Sequence, residues 1–313
     1  MRIHSADETR SSQRGSVVAI GVFDGVHRGH QAVLRHVVNL AHERDLDAIV
    51  VTFDPTPAEV LAPERAPKML ATLEDRLQEF EALGIDEVRI VQFSMEASHE
   101  EAVAFVDRVV VAGCDARIIV VGEDFHFGRN RQGNVERLLT WGETRNFTVS
   151  PVTLVGDEAN FSSTRARALI AGGDVGDARE VLGRPFSYRD VVVVHGDARG
   201  GAELGYPTAN IDPSTRLIRP ALGIYAGYAD LPDGSRYAAA ISVGKRPQFY
   251  EDGSLLVEAF LCGFSGDLYG QPVTLCFLEF LRGELKFESV DELVEQMHRD
   301  VKKSEEVFAS YHG

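Results

Sequence analysis

The sequence predicts two domains: an α/β domain with a parallel sheet, then an antiparallel β-barrel that ends in a helix. The first observation is length, because 313 residues with 44% hydrophobic content exceed what one core usually needs. The second is that apolar runs alternate with helical periodicity up to about residue 185, which is typical of a parallel sheet covered on both faces. The third is that short strands with glycine turns follow, which is typical of a barrel. We therefore predict domains at residues 1–185 and 186–313.

Five apolar runs predict the strands of the first domain: residues 16–23, 47–53, 87–93, 117–122 and 148–155. Between them, apolar side chains recur at helical spacing, first from Val33 to Ala41 and then over residues 74–83 and 102–111. In such sheets ligands bind beyond the carboxyl ends of the strands. The segment that follows the first strand is therefore a candidate site.

Five shorter runs predict the strands of the second domain: residues 188–196, 223–230, 236–244, 255–263 and 271–281. Turn sequences at residues 232–234 and 252–253 separate some of them. The chain then closes with a helix, for which Ser289 and Glu292 have the spacing of a capping box. Apolar residues from Val290 to Val301 give this helix one buried stripe.

Composition excludes several classes of protein. A net charge of -16 repels nucleic-acid backbones, so we predict no nucleic-acid partner. Three widely spaced cysteines suit neither a disulfide framework nor a zinc site. The polar N-terminus lacks a signal core, and no apolar run is long enough to span a bilayer. We expect a cytoplasmic protein with no membrane partner, and the sequence makes no prediction of its oligomeric state.

The segment GVFDGVHRGH, residues 21–30, joins the first strand to the first helix. Its two imidazoles, His27 and His30, lie at the helix N-terminus, where free N–H groups and the helix dipole favour phosphate. Phe23 can anchor the loop in the core and Asp24 can brace its turn. Glycines allow the backbone to bend and to approach a ligand closely. The predicted phosphate-binding residues of this segment, besides the two histidines, are Gly21, Phe23, Asp24, Gly25 and Gly29.

Two further segments carry phosphate-binding chemistry. In FSSTRAR, residues 161–167, two hydroxyls and a guanidinium occupy a helix start, and these are Ser163, Thr164 and Arg167. In GDARGGAELGYPTANI, residues 196–211, a glycine-rich loop offers amide N–H groups and a cation, from Gly196, Arg199 and Gly200. Thr208 and Asn210 follow two positions apart, so in a strand they share a face. Their hard oxygen atoms suit Mg²⁺.

These segments resemble the motifs of a known family. HRGH resembles the HxGH signature of the nucleotidyltransferase superfamily, and the full GVFDGVHRGH resembles the form found in prokaryotic FAD synthetases. Residues 51–60, 121–133 and 161–167 resemble further segments of that family. GDARGGAELGYPTAN resembles the signature of riboflavin kinases, and this resemblance continues through residues 223–229, 241–247, 255–261, 267–271 and 277–300. The chain is therefore similar, over about residues 16–305, to the bifunctional riboflavin kinase and FMN adenylyltransferase family.

The resemblance implies a Rossmann-like nucleotidyltransferase domain and a riboflavin kinase barrel. The barrel would phosphorylate riboflavin with ATP to give FMN, and the first domain would adenylylate FMN to FAD with release of pyrophosphate. ATP would be the co-substrate and Mg²⁺ the cofactor of both steps. Glu258 would be the base of the kinase, and His27 and His30 would stabilise the triphosphate during adenylyl transfer.

The remaining roles also come from the resemblance. Thr208 and Asn210 would bind Mg²⁺, and the residues that would contact flavin are Asp124, Phe125, Phe127 and Arg282. Three positions depart from the family pattern: Thr56 stands where histidine is usual, Asn160 where some relatives have arginine, and Gln248 where threonine is frequent. Two alternatives therefore stay open. One is a riboflavin kinase with a weak or inactive adenylyltransferase half, and the other is a non-catalytic flavin-binding sensor.

Overall fold

The computed structural model describes residues 1–312 apart from 11, 13, 154–160, 195–205 and 246–254. Contacts within the chain divide it into two compact units, Met1–Ser163 and Thr164–Gly313. Two helices that the predicted boundary at residue 185 assigns to the first domain, Ser163–Gly172 and Val175–Leu182, fall mainly or wholly within the second unit.

The first unit alternates strands and helices, as the sequence predicts. Its strands are β1 (Arg2–Ser5), β2 (Ser16–Ile20), β3 (Asp47–Phe53), β4 (Glu87–Val91), β5 (Ala116–Gly122) and β6 (Thr148–Val152). Its helices are α1 (Arg28–Arg44), α2 (Pro57–Leu61), α3 (Leu73–Ala82), α4 (Ala102–Phe105), which continues as a π-helix over Val106–Gly113, and α5 (Val135–Arg145). All strand pairs are parallel, in the order β1-β4-β3-β2-β5-β6. The prediction of a parallel sheet is confirmed.

Both faces of this sheet are covered, which explains the continuous apolar runs. In β2, Val18 and Ile20 pack into one core cluster, whereas Val17 and Ala19 pack into a second cluster with α1. All five residues of β2 are buried. Alternate side chains of a strand point to opposite faces, so a strand between two helical layers is apolar on both of its faces.

Strand β1 was not predicted, because its sequence RIHS has little apolar character. It lies at the edge of the sheet and pairs with β4. Arg2 forms ion pairs with Asp47 at 3.1 Å and with Glu87 at 3.3 Å. This strand therefore forms through backbone pairing and charge contacts with other segments, which a local pattern does not reveal.

The second unit contains the predicted barrel. It begins with α6 (Ser163–Gly172, whose first residue belongs to the first unit) and α7 (Val175–Leu182), and it ends with α8 (Val290–Ser310). Its strands are β7 (Phe186–Val194), β8 (Ala209–Ile211), β9 (Gly223–Asp230), β10 (Arg236–Lys245), β11 (Leu255–Leu261) and β12 (Pro272–Arg282). Among the described residues these strands close a barrel of antiparallel pairs, in the order β10-β11-β8-β7-β12-β9. The predicted fold class is confirmed.

Helix α8 begins as predicted but with one difference at its cap. The Ser289 hydroxyl accepts a hydrogen bond from the Glu292 N–H at 3.2 Å. The Glu292 carboxylate accepts from the Glu288 N–H at 3.1 Å, one residue earlier than a capping box requires. The helix is then held on the barrel by Tyr228, whose ring lies against Phe308 and Tyr311.

The structure shows the surroundings of the three cysteines and the character of the helices. Cys114 and Cys276 are buried, Cys262 is half-buried, and within the described ranges all three are free thiols. None of the helices in the described part of the chain combines the length and apolar character that crossing a bilayer requires.

Candidate active sites

The loop after β2 has an unusual backbone. Phe23 and Val26 have φ angles of 53° and 40°, and Gly25 has a φ of 73°. The left-handed region is unfavourable for side chains, above all for β-branched valine. Neighbouring groups hold the loop in place: the Leu70 N–H donates to both carboxylate oxygens of Asp24, at 2.9 and 3.1 Å. Asp24 is buried, so its geometry favours the bracing role predicted for it over direct contact with phosphate.

The two predicted histidines lie together at the start of α1. Their rings stack with centroids 3.6 Å apart. His27 is the N-cap residue of α1, and its Nδ1 accepts a hydrogen bond from the His30 N–H at 3.3 Å. In the neutral ring this places the proton of His27 on Nε2, which is then the donor atom of the ring. The second ring also packs edge-on against Phe23, at 5.2 Å between centroids.

The charge state of His30 follows from its burial. Burial, and secondly the charge of His27, hold the pKa of His30 well below its usual range. His30 is therefore neutral at physiological pH. Its Nδ1 is shielded from solvent and has no hydrogen-bond partner among the described residues. A neutral imidazole at a helix N-terminus contacts an anion through an N–H group, and the backbone N–H groups and dipole of α1 supply the positive potential.

A cavity of about 410 Å³ opens beside the second histidine. It is lined by the end of β2 and the start of α1, including Gly21, Phe23, Gly29 and His30. The ends of β5 and β6 complete it with Asp124 and other residues. This is the carboxyl edge of the parallel sheet, where the topology predicts a ligand. The sequence motifs did not identify the contribution of Val152, at the end of β6, and of Thr153, which follows it.

The segment FSST reaches the same loop. The Ser163 hydroxyl donates to the Asp24 carbonyl at 3.0 Å, and the Arg28 guanidinium lies 4.8 Å from the centre of the Phe161 ring. The predicted phosphate ligands Thr164 and Arg167 follow on α6 and belong to the second unit. Ser163 is thus placed at the histidine loop, whereas the roles of Thr164 and Arg167 stay predictions.

Gly29 permits this close packing. A Cβ atom at Gly29 would lie 3.0 Å from the Phe161 carbonyl oxygen and 3.2 Å from the His27 ring. We expect Gly29→Ala to destabilise the first unit by about 1–3 kcal/mol, because a backbone and a packed ring must move. Urea unfolding should show this loss, and calorimetry should show weaker ATP binding.

Gly176→Ala in α7 is the matched control, since the nearest atom to its Cβ would lie 3.8 Å away. A helical alanine there should be neutral or stabilising by about 0.5–1 kcal/mol. Equal stability of the parent and the Gly29→Ala variant would contradict the packing argument.

Thr56, the first departure from the family pattern, has a local structural role. It is the N-cap of α2, and its hydroxyl accepts from the Glu59 N–H at 3.4 Å. The Glu59 carboxylate in turn accepts from the Thr56 N–H at 2.9 Å, which completes a capping box. Thr56 is buried in this arrangement.

The predicted flavin contacts of the first unit lie after β5. Phe125 and Phe127 stack with centroids 5.2 Å apart, and Phe127 also lies 5.7 Å from Phe105. Both rings are half-buried. Asp124 is exposed and lines the cavity described above. The structure thus brings an aromatic surface and a carboxylate together near this edge of the sheet, and their contact with flavin stays a prediction.

In the barrel, register brings the predicted kinase residues together. Glu258 on β11 is the direct cross-strand partner of Asn210 on β8. Thr208 lies two positions before Asn210, and its hydroxyl forms a hydrogen bond with the Glu258 carboxylate. Directly opposed residues of an antiparallel pair point to the same face, and so do residues two positions apart. The neighbouring side chains Val257 and Ala259 point to the core.

The electrostatic surroundings of Glu258 and Asn210 suit a general base beside a bound cation. Burial raises the pKa of Glu258 above its ordinary value, and the hydrogen bond from Thr208 partly offsets this. Asn210 is 5% exposed, and its Oδ1 has no hydrogen-bond partner among the described residues. A buried carbonyl oxygen without a donor is costly unless a ligand satisfies it. Oxygen ligands of this type suit Mg²⁺, so the residues present fit the predicted metal.

No cluster of three histidine, cysteine or acidic side chains that could hold a metal exists within the described ranges. A cation at Thr208 and Asn210 would therefore depend on oxygen atoms of a bound ligand, such as phosphate, to complete its coordination.

A second cavity, of about 310 Å³, adjoins these residues. Thr208 and Ala209 form part of its wall, and the chain between β11 and β12 forms another part with Phe264 and Tyr269. Its lining combines apolar side chains with polar ones such as Thr208 and Asp267, and both kinds of group contact a small molecule in a typical binding site. Residues 267–271 belong to the segments that resemble riboflavin kinases, but no role was predicted for them.

Arg282 is already engaged by α8. Its guanidinium pairs with the Asp300 carboxylate, at 2.6 Å from Nη2 and 3.1 Å from Nε, and Gln296 donates to the same carboxylate at 2.8 Å. The arginine side chain is 18% exposed. These contacts give Arg282 a role in fixing α8 to β12, and the flavin contact predicted for it stays a prediction.

Five residues singled out in the sequence lie outside the described residues: Asn160, Gly196, Arg199, Gly200 and Gln248.

Comparison with known families separates the chain into the same two parts. A family model described as FAD synthetase matches residues 9–165, and one described as riboflavin kinase matches residues 182–308.

Individual relatives match nearly the whole chain. Proteins named bifunctional riboflavin kinase/FMN adenylyltransferase from Pseudomonas fluorescens, Listeria monocytogenes and Escherichia coli K12 are 37%, 34% and 33% identical. The alignments cover 93%, 94% and 96% of this chain and 93%, 92% and 95% of the respective relatives. A crystal structure described as a macrolide-efflux protein from Streptococcus pneumoniae superimposes with a TM-score of 0.86 at 33% identity, covering 96% of this chain and 97% of that one.

Proposed function

Because the chain belongs to the bifunctional riboflavin kinase/FMN adenylyltransferase family, we propose that it makes FAD from riboflavin in two ATP-dependent steps. The barrel transfers a phosphoryl group from ATP to riboflavin, and the α/β unit transfers an adenylyl group from a second ATP to the resulting FMN. The observation that carries the proposal is the cross-strand pairing of Glu258 with Asn210 beside Thr208, since a proton acceptor next to a cation ligand is what alcohol phosphorylation needs. We assign adenylyl transfer to residues 1–185 and phosphorylation to residues 186–313.

In the kinase step, the ribityl hydroxyl of riboflavin attacks the γ-phosphorus of ATP and ADP leaves. Glu258 accepts the hydroxyl proton, and its raised pKa makes it a better proton acceptor than an ordinary carboxylate. Thr208 and Asn210 would hold Mg²⁺, which neutralises the phosphate charge. The cavity beside Thr208 is positioned to receive the nucleoside of ATP, with Phe264 and Tyr269 as apolar contacts.

In the adenylyl step, a phosphate oxygen of FMN attacks the α-phosphorus of ATP in line, and pyrophosphate leaves. The enzyme needs no nucleophile of its own, because positioning and charge stabilisation lower the barrier. His27 and His30 donate hydrogen bonds from their N–H groups to the triphosphate at the N-terminus of α1. Mg²⁺ would neutralise the remaining charge of the triphosphate. Ser163 adds a hydroxyl at this loop, and Thr164 and Arg167 are proposed as phosphate ligands on α6.

Flavin recognition is the remaining part of the proposal. Phe125 and Phe127 offer aromatic surface at the carboxyl edge of the sheet, and Asp124 offers hydrogen-bond acceptors. In the barrel, we assign Arg282 a contact with flavin. It would make this contact through an N–H group that is not used in its pairing with Asp300. The use of ATP is consistent with the predicted cytoplasmic location, which stays a prediction.

A product assay tests this function. Purified protein with riboflavin, ATP and Mg²⁺ should yield FMN first and then FAD, with one pyrophosphate released per FAD, and EDTA should stop both steps. Accumulation of FMN without FAD would establish the single-activity kinase instead. Tight riboflavin binding with neither product would establish the flavin sensor.

A further inference from the structure

Arg76 is a buried arginine beside the candidate adenylyl-transfer site, and none of the sequence motifs contains it. It lies on α3, and its side chain is 1% exposed. Burying a guanidinium is unfavourable unless its N–H groups are satisfied. A carboxylate oxygen of Asp54 lies 3.8 Å from its Nη2. Arg76 also donates hydrogen bonds to backbone carbonyls and to one hydroxyl.

These hydrogen bonds join two loops. Nη1 donates to the Val22 carbonyl at 2.8 Å and to the Thr52 hydroxyl at 2.9 Å. Both terminal nitrogens lie 3.4 Å from the Phe53 carbonyl oxygen. Val22 precedes the histidine loop, and Phe53 ends β3 and begins the segment FDPTP. The Arg76 side chain therefore links the chain just after β2 to the end of the neighbouring strand β3.

The guanidinium acts where backbone pairing stops. Gly21 still pairs with β3, since its N–H donates to the Val51 carbonyl at 3.0 Å. Beyond this point the two strands separate, and the Thr52 hydroxyl at 3.2 Å and Arg76 at 2.8 Å bind the Val22 carbonyl. Arg76 thus continues the connection between the strands with a side chain.

The segment that follows depends on such support. Phe23 and Val26 adopt left-handed backbone conformations, which persist in a protein only when surrounding contacts enforce them. The chain from Leu70 to Arg76 supplies two of these contacts, through the Leu70 N–H to Asp24 and through Arg76 to the Val22 carbonyl. His27 follows directly, so its position depends on this loop.

We propose that Arg76 is a positioning residue for adenylyl transfer, which fixes the histidine loop and the FDPTP segment relative to each other. It acts through Val22 and Phe53 and does not contact the reacting atoms. This inference rests on the proposed adenylyltransferase function. Rigid positioning of catalytic groups raises the reaction rate strongly, since a displacement of about 1 Å can lower that rate about a hundredfold.

The test compares the parent with Arg76→Ala and Arg76→Lys in the conversion of FMN to FAD. We expect Arg76→Ala to lower kcat about a hundredfold while the KM values for ATP and FMN stay close to those of the parent. Methylguanidine should restore part of the kcat of Arg76→Ala by occupying the vacated space. Lysine lacks the planar fork that reaches two carbonyls, so Arg76→Lys should also have a lowered kcat. Riboflavin phosphorylation, measured in the same samples, should be unchanged.

Arg89→Lys is the matched control. Arg89 is also 1% exposed and also donates to backbone carbonyls, of Ser5 at 3.3 Å and Glu8 at 2.6 Å, but it touches neither motif loop. The Arg89→Lys replacement should lower the unfolding temperature without changing the kcat of the folded enzyme for the conversion of FMN to FAD.

Each outcome decides the proposal. Folded Arg76→Ala with the kcat of the parent overturns it. If Arg76→Ala does not fold, Arg76→Lys decides: a lowered kcat with unchanged KM supports positioning, and a parental kcat overturns it. A parent enzyme that makes no FAD shows instead that the proposed adenylyltransferase function is wrong, and the role of Arg76 fails with it.

Discussion

Replacement of Glu258 by glutamine should abolish riboflavin phosphorylation while supplied FMN is still converted to FAD at the rate of the parent. Glutamine has the shape of glutamate and still bonds to Thr208, but it cannot accept the proton of the attacking hydroxyl. Loss of a general base typically costs about 10²–10⁴-fold in rate. Chromatography of the flavin products, starting from riboflavin in one reaction and from FMN in another, measures both activities.

The pH dependence gives a second readout of the same residue. Burial raises the pKa of Glu258 above its ordinary value of 4.5, so kcat/KM for riboflavin should rise with pH through that raised pKa and then level off. Folding has the opposite dependence: this carboxyl contributes most to stability below pH 4.5, and the contribution is lost as pH rises through the raised pKa. At neutral pH, Glu258→Gln should therefore unfold at the same temperature as the parent or higher.

Glu279→Gln provides the control for this experiment. Glu279 lies on β12 of the same barrel and is exposed, so its replacement should change neither activity. Phosphorylation of riboflavin by Glu258→Gln at the parental rate would show that the base assignment is wrong. A large fall in unfolding temperature would show that the carboxylate is structural.

Thr208, Asn210 and Glu258 show which features of a site can be predicted from sequence and which cannot. That Thr208 and Asn210 share a face follows from strand periodicity alone. That Glu258 lies opposite Asn210 does not, because β8 and β11 are distant in sequence and meet only through the strand order of the closed barrel. Register between distant strands is set by the packing of the whole domain. The family resemblance named Glu258, and the structure supplies its physical relation to Asn210.

Other features lie outside what local patterns encode. Arg76 has no distinctive neighbours in sequence, and its burial results from two loops that meet over α3. The bracing role of Asp24 was predicted, but its partner was not, because the Leu70 N–H that binds the carboxylate comes from a separate segment. In contrast, the alternating apolar runs of the first domain predicted its sheet well, because a strand buried on both faces is mainly apolar.

Thr56 shows why a departure from a family pattern needs a structure. In the sequence it suggests a weakened half-site. In the structure its hydroxyl and backbone form a complete capping box with Glu59 at the start of α2. Threonine is a preferred N-cap residue, so the N-terminus of α2 is fully capped although histidine is absent.

Replacement of His27 by asparagine should stop the reaction at FMN without unfolding the protein. Asparagine is a strong N-cap residue and can replace Nδ1 as acceptor for the His30 N–H, so α1 should keep its start. The imidazole N–H that we propose contacts the triphosphate is lost, and removal of one such donor costs about 10²–10³-fold in rate. His27→Ala should lose the same activity and, in addition, about 0.5–2 kcal/mol of stability.

The measurement is FAD formation from FMN, with riboflavin phosphorylation in the same sample as the internal standard. His36→Asn is the control, since His36 lies on the exposed face of the same helix and should change neither rate. His30→Ala should also accumulate FMN. A His27→Asn variant that makes FAD at the parental rate would remove His27 from the mechanism, whatever its effect on stability.

The pH profile separates a neutral from a charged histidine pair. The pKa of His30 is held well below its ordinary value of 6.5, so no proton is gained or lost at this ring near neutral pH. Adenylyl transfer should therefore not accelerate as pH falls from 8 toward 6.5, as it would if an imidazolium were required. Below pH 6.5 the unfolded chain binds a proton that folded His30 resists, so stability should decrease as pH falls, and His30→Gln should reduce that decrease. A rate that rises through pH 6.5 on acidification would instead assign the pair a cationic role.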